Sequence, residues 1–203
     1  MATAGSSSKS ATLQLNAATP ALTLNASTVS FGAVVVNSST TQTVTLTSTG
    51  TAAVTINSVS ITGTGFSLSS VSLPAKLNPG QALSLTLTFS PAAVGSSTGQ
   101  LAISSTSSTN PNVTIGLSGT ANPHEVELAW SPPSSSGVTI AGYKVYRAIS
   151  GSGGFAALSS ASTQTSYTDT GIQSGKAYDY YVTSVDSAGA ESVPSNTTTV
   201  TVP

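Results

Sequence analysis

Apolar and polar side chains alternate in short runs from about Leu22 onward, with turn residues between the runs. In Thr43–Thr47 the pattern places Val44 and Leu46 on one face and threonines on the other. The run Ala82–Phe89 is the most regular: Leu83, Leu85, Leu87 and Phe89 point one way, Ala82, Ser84, Thr86 and Thr88 the other. Val54 and Ile56 share a phase that Val59 and Ile61 do not keep, which predicts a bulge between the two pairs. Further strands are predicted at residues 100–104 and 112–119. Gly50, Gly63, Gly65, Pro79-Gly80, Gly95 and Asn110-Pro111 separate the runs, and no stretch sustains a helical period. Short strands of period two at regular spacing predict an all-β sandwich or barrel.

Length and composition sharpen this picture. A chain of 203 residues suits two domains of roughly 100 residues each. Charged residues make up 5% of it, against about 25% in ordinary soluble proteins, so hydroxyls and amides must carry its solubility. All six acidic residues lie after position 121, and only Lys9 and Lys76 carry side-chain charge before it. The first half therefore has no carboxylate for general-base work or for a cation. With a formal net charge of −1 there is no field to draw nucleic acid or anionic lipid. No apolar run approaches the roughly 18 residues of a membrane span. Cysteine is absent, which excludes disulfides, thiolate nucleophiles and cysteine-based zinc sites. The first 15 residues lack the apolar stretch of a signal peptide, and the chain is read as a form from which an export signal has been removed.

Residues 20–121 carry a series of short motifs in a fixed order. They are Val29-Ser30-Phe31-Gly32, Thr49-Gly50-Thr51, Ile61-Thr62-Gly63-Thr64-Gly65-Phe66, Leu77-Asn78-Pro79-Gly80, Phe89-Ser90-Pro91 and Leu117-Ser118-Gly119-Thr120. This series resembles the ASH/HYDIN-type (choice-of-anchor D-like) immunoglobulin-like domain of bacterial surface proteins. Phe31 and Phe89 are its expected core anchors. Composition changes at Ala121-Asn122-Pro123, where aromatics and carboxylates appear. Residues 122–203, from His124 on, closely resemble a fibronectin type III domain. That resemblance implies Trp130 as a buried core tryptophan on the second strand, Tyr143 and Val145 as inward residues of the third, and Tyr178 as the corner tyrosine whose hydroxyl ties to nearby backbone. Tyr180 and Val182 continue the inward face. The expected fold is thus all-β, two tandem immunoglobulin-like β-sandwiches.

Candidate chemistry is sparse. His124 is the only histidine and stands where one domain hands over to the next, without the partners of a catalytic triad. Asp169, Asp179 and Asp186 lie on separate strands and loops, whereas calcium needs six to eight converging oxygens; they are read as solvated strand-end and turn carboxylates. Tyrosines can stack on sugars, but Tyr143, Tyr146, Tyr167, Tyr178 and Tyr180 fall on strand positions the fold uses, and only Tyr146 and Tyr181 are expected outside. Catalytic, cofactor and metal sites are each expected to be absent.

Residues 1–19 form a Ser/Ala/Thr-rich leader. Within it Ala11–Asn16 alternates like a strand, with Leu13 and Leu15 on one side, and Ala21–Asn25 repeats the pattern. One copy serves as the first strand of the first domain; the other is a candidate donor strand or part of a flexible spacer. The expected function is a non-enzymatic extracellular or cell-surface module, structural or adhesive, of a bacterial protein. The alternatives are a filament subunit joined by strand donation, and an accessory domain pair of a polysaccharide-degrading enzyme. Expected partners are other protein chains, copies of this one among them; carbohydrate stands last among partner classes.

Overall fold

Alternation becomes pairing in the computed structural model, which describes residues 14, 16–134 and 137–203. Among these residues every regular element is a strand, and the chain is all-β. It separates into two compact units. One comprises residues up to Phe31 with Thr40–Phe89 and Ser97–Gly119; the other comprises Gly32–Ser39, Ser90–Ser96 and Thr120–Pro203.

Nine strands precede Pro123. Strands β1 (Leu22–Leu24), β3 (Thr40–Ser48), β7 (Ala82–Phe89) and β5 (Phe66–Leu68) form one sheet in that order. The second sheet has the order β2 (Thr28–Val35), β9 (Asn112–Asn122), β8 (Gly95–Ser105), β4 (Val54–Thr62) and β6 (Ala75–Leu77). Val44 and Leu46 of β3 stand beside Leu85 and Leu83 of β7 in antiparallel register, so the two alternating runs turn their apolar sides the same way. Phe31 of β2 meets Phe66 and Phe89 of the opposite sheet, with ring centroids 5.5 and 5.7 Å away, while Phe66 and Phe89 stack at 4.7 Å. This triple contact joins the sheets, and burial of each ring is worth on the order of 2 kcal/mol. Gly119 is required beside it, because a Cβ there would lie 2.6 Å from the Phe89 ring. The β4–β8 register shifts between Ile56 and Ser58. That bulge leaves Val54 and Ile56 fully buried and Val59 and Ile61 half-buried.

Hydroxyls and amides do in this half what charges do elsewhere. The Leu22 amide donates to Ser107 Oγ (3.0 Å), and Asn110 Nδ2 donates to Leu22 O (2.8 Å). Ser108 donates to Pro20 O through both its amide and its hydroxyl, each at 2.8 Å. Asn25 Oδ1 accepts from the Thr45 amide at 2.8 Å. Gly50 belongs to this cluster: a Cβ there would fall 2.0 Å from Thr19 O. Close approach of two backbones, and not a left-handed turn, is what demands glycine at that position.

After Pro123 the chain forms two further sheets. Strands β10 (Val126–Ala129) and β13 (Ser166–Asp169) make a two-stranded sheet. Strands β12 (Ala156–Ala157), β11 (Ile140–Ile149), β14 (Ala177–Asp186) and β15 (Thr198–Thr201) make a four-stranded one in that order. Val126 from the first sheet and Val145, Tyr178 and Tyr180 from the second share one buried cluster with Ile172 and Val202.

Candidate functional site

The residues expected to build the two cores fall as follows. Phe31 and Phe89 are buried, and Phe66 completes their cluster. Tyr143, Val145, Tyr178 and Tyr180 are buried, and Val182 is half-buried against them. The Tyr178 hydroxyl accepts from the Gln173 amide at 3.1 Å, which ties the corner together. Trp130 differs from its expectation. It stands directly after β10 and is only half-buried. Its ring meets Tyr143 edge-on at 5.7 Å, and its indole N–H is buried without an acceptor among the described residues. Leu13 and Leu15 lie outside the described residues.

Asp169 corrects a second expectation. It is not a solvated carboxylate: it is 4% exposed and receives Arg147 Nη1 at 2.7 and 3.0 Å, the Tyr180 hydroxyl at 2.9 Å and the Gly171 amide at 2.9 Å. Register accounts for this. Arg147 and Tyr180 are Cα partners on β11 and β14, with side chains on the inner face, where β13 presents Asp169 at its last position. Burial, followed by the hydrogen bond to Asp169, pushes the Tyr180 hydroxyl well above the usual phenol range. The Arg147 guanidinium also lies 5.1 Å from the Tyr178 ring centroid. Both Asp169 oxygens and the Tyr180 hydroxyl are thus engaged by neighbours of the same sandwich, and the group ties β11, β13 and β14 together.

The outer face of the same sheet holds the other polar cluster. Lys144 and Thr183 are Cα partners, as are Tyr146 and Tyr181. Glu191 comes in from the loop after β14 and accepts from Lys144 Nζ (2.6 Å), the Tyr146 hydroxyl (2.8 Å) and Thr183 Oγ1 (2.9 Å). Those three donors, Lys144 foremost, hold the Glu191 carboxyl down at about 2. Tyr181 stacks on Tyr146 at 4.8 Å and meets Phe155 at 4.7 Å. One face of each tyrosine ring is thus covered by the other. Asp179 accepts from Thr199 Oγ1, and Asp186 caps the amides of Ala188 and Ala190. Among the described residues no group of three His, Cys, Asp or Glu side chains converges as a metal site would require.

A third feature is an unpaired edge. The Trp130 amide donates to Thr165 O at 3.0 Å, one step beyond the β10–β13 ladder. The even-numbered residues of β10 therefore bond to β13, and Glu127 and Ala129 turn their N–H and C=O groups outward. Among the described residues no strand pairs with that side. Beside it lies a groove of about 270 Å³ between β10 and β15, lined by Leu128, Trp130, Tyr180, Val182, Asn196 and Thr198 among others. Sequence reading missed this edge, because pairing partners are a property of the assembled sheet.

Comparison with known proteins assigns both halves. Residues 19–122 match the family model for Cep192 domain 4. The chain belongs to this family. Residues 110–201 match the fibronectin type III domain, so the two matched segments share residues 110–122. Exoglucanase B of Cellulomonas fimi is 37% identical over 94 residues, 46% of this chain and 8% of that protein. Amylopullulanase of Thermoanaerobacter thermohydrosulfuricus is 35% identical over 105 residues, 51% of this chain and 7% of that protein. The chain thus spans less than a tenth of either relative. Among solved structures, the ASH/PapD-like domain of human CEP192 aligns over 58% of this chain and 96% of its own, at 13% identity and a TM-score of 0.43.

Proposed function

We propose that this chain is a non-catalytic structural module of a longer extracellular bacterial protein, of the accessory kind found within polysaccharide-degrading enzymes. The observation that carries the reading is the pair of curated relatives. Both bear the names of glucan-cleaving enzymes, and each matches the chain over only a small part of its length. The chemistry of the chain agrees with an accessory role. Glycoside hydrolysis needs two carboxyl groups facing each other across a bond, roughly 5 to 10 Å apart. Here Asp169, Asp179, Asp186 and Glu191 are each committed to local partners, and Glu125 and Glu127 are exposed. A protein almost free of charge and cysteine, held by packing and hydroxyl networks, suits a spacer that tolerates an unbuffered exterior.

Two assays test this. Incubation with cellulose, starch and pullulan is expected to release no reducing sugar. Co-sedimentation with the insoluble glucans is expected to leave the chain in solution, since Tyr146, Tyr181 and Phe155 stack on one another. Release of sugar would overturn the non-catalytic reading. Retention on a glucan that disappears in Tyr181→Ala would replace the structural role by carbohydrate binding.

A further inference from the structure

Among the described residues the smaller sheet of the second sandwich has only two strands. The fibronectin type III match begins at residue 110, sixteen residues before β10. The strand in that interval is β9, and β9 is already paired between β2 and β8 of the other sandwich. Two matched families claim the same strand, and most of it, up to Gly119, lies in the first unit. Among the described residues the place beside β10 is left unfilled, which accounts for three observations together. Glu127 and Ala129 direct their backbone groups to no partner among the described residues, Leu128 and Trp130 are only half-buried, and a groove runs alongside them.

We propose that this edge is a strand-acceptor site, filled by leader residues 11–16 of a second copy of the chain. An open edge of this kind is a template for β-augmentation, in which backbone bonds give affinity and alternate side chains give register. The leader has the matching pattern: Leu13 and Leu15 alternate with Thr12, Gln14 and Asn16. Two leucines spaced about 7 Å apart along an extended strand suit an apolar groove bordered by Leu128, Trp130 and Val182. The edge is four residues long, within reach of a six-residue segment. A second copy is the source because the formal net charge of −1 leaves little repulsion between copies. Each copy that donates its leader also keeps an edge to accept the next, so the contact is head-to-tail and propagates.

The test combines sedimentation velocity over a concentration series with amide hydrogen exchange on the full chain. Assembly is expected to grow with concentration, and the Glu127 and Ala129 amides are expected to exchange about tenfold or more slowly in the assembled protein. Both effects should vanish in Leu13→Asp/Leu15→Asp, whose changes precede β1 in the sequence. Both should also vanish in Ala129→Pro, which removes an outward N–H without touching the β13 ladder. If Ala129→Pro fails to fold, the leader variant decides alone. A chain that stays monomeric throughout overturns the proposal, as does assembly that persists in the leader variant. Slow exchange at Glu127 and Ala129 in a monomer would mean a cover from within the same chain, and exchange that stays fast in an assembled form would place the contact elsewhere; either result also overturns it.

Discussion

The two halves of this protein solve one folding problem with different chemistry. Both are β-sandwiches closed by aromatic clusters. In the first, Phe31, Phe66 and Phe89 make the contact between sheets and polar needs are met by Ser, Thr and Asn side chains such as Ser107, Asn110 and Asn25. In the second, tyrosines replace phenylalanines, and their hydroxyls draw in charge: Asp169 with Arg147 inside, Glu191 with Lys144 outside. A phenyl ring needs only packing, whereas a buried phenol needs an acceptor. The choice of aromatic therefore decides whether a sandwich imports ionisable groups. It follows that the first half should be nearly indifferent to pH and the second should not.

The largest expected effect separates the halves by packing. Phe89→Ala removes a fully buried ring that meets both Phe31 and Phe66 and is expected to destabilise that sandwich by about 3–5 kcal/mol. Urea unfolding followed by backbone circular dichroism and by the single tryptophan, Trp130, checks it. The Trp130 transition should stay in place while the other moves, and a common shift would mean that the halves unfold as one. Asp169→Ala is the counterpart for the second half. It leaves Arg147, about a quarter exposed, without its buried partner, and the expected loss is about 3 kcal/mol, at the lower end for a broken buried pair. This time the Trp130 transition alone should move.

Acid gives a smaller and more selective probe. The Glu191 pKa is depressed in the folded state, from 4.5 to about 2. Its contribution is therefore present above pH 4.5 and is lost as pH falls from there toward 2. Stability of the second half should decline across that window, and Glu191→Gln should flatten the decline, whereas the first half, with no carboxylate side chain, should show none. An equal response in the two halves would remove the distinction drawn here. The smallest expected effect is in Ser48→Ala. The Ser48 hydroxyl is buried without a partner among the described residues. Deleting it should change stability by less than about 1 kcal/mol, and toward greater stability. A clear loss in thermal unfolding would show that the hydroxyl network of the first half extends further than its hydrogen bonds suggest.

Much of the architecture was legible before any coordinates. Period-two alternation at Val44–Leu46 and Leu83–Phe89 names strands and their buried faces, because a strand side chain has only two directions to point. The phase change between Ile56 and Val59 names a bulge for the same reason. The tie between the Tyr178 hydroxyl and nearby backbone was implied by the resemblance to a fibronectin type III domain. Asp169 was misread: nothing within several residues of it signals burial, and its partners Arg147 and Tyr180 lie on other strands. Trp130 was expected to be buried and is half-buried, because no strand among the described residues covers the edge of β10 beside it.

By itself, then, the sequence determined what is local: strand positions, buried faces, the turn glycines and the change from a neutral half to a charged one. Only the tertiary structure decided which strands pair. It paired β9 with β2 and β8, left β10 with an open edge among the described residues, and brought Asp169 to Arg147. The reason is physical: alternation fixes the face a side chain takes, but an edge hydrogen bond is chosen among all strands that compete for it.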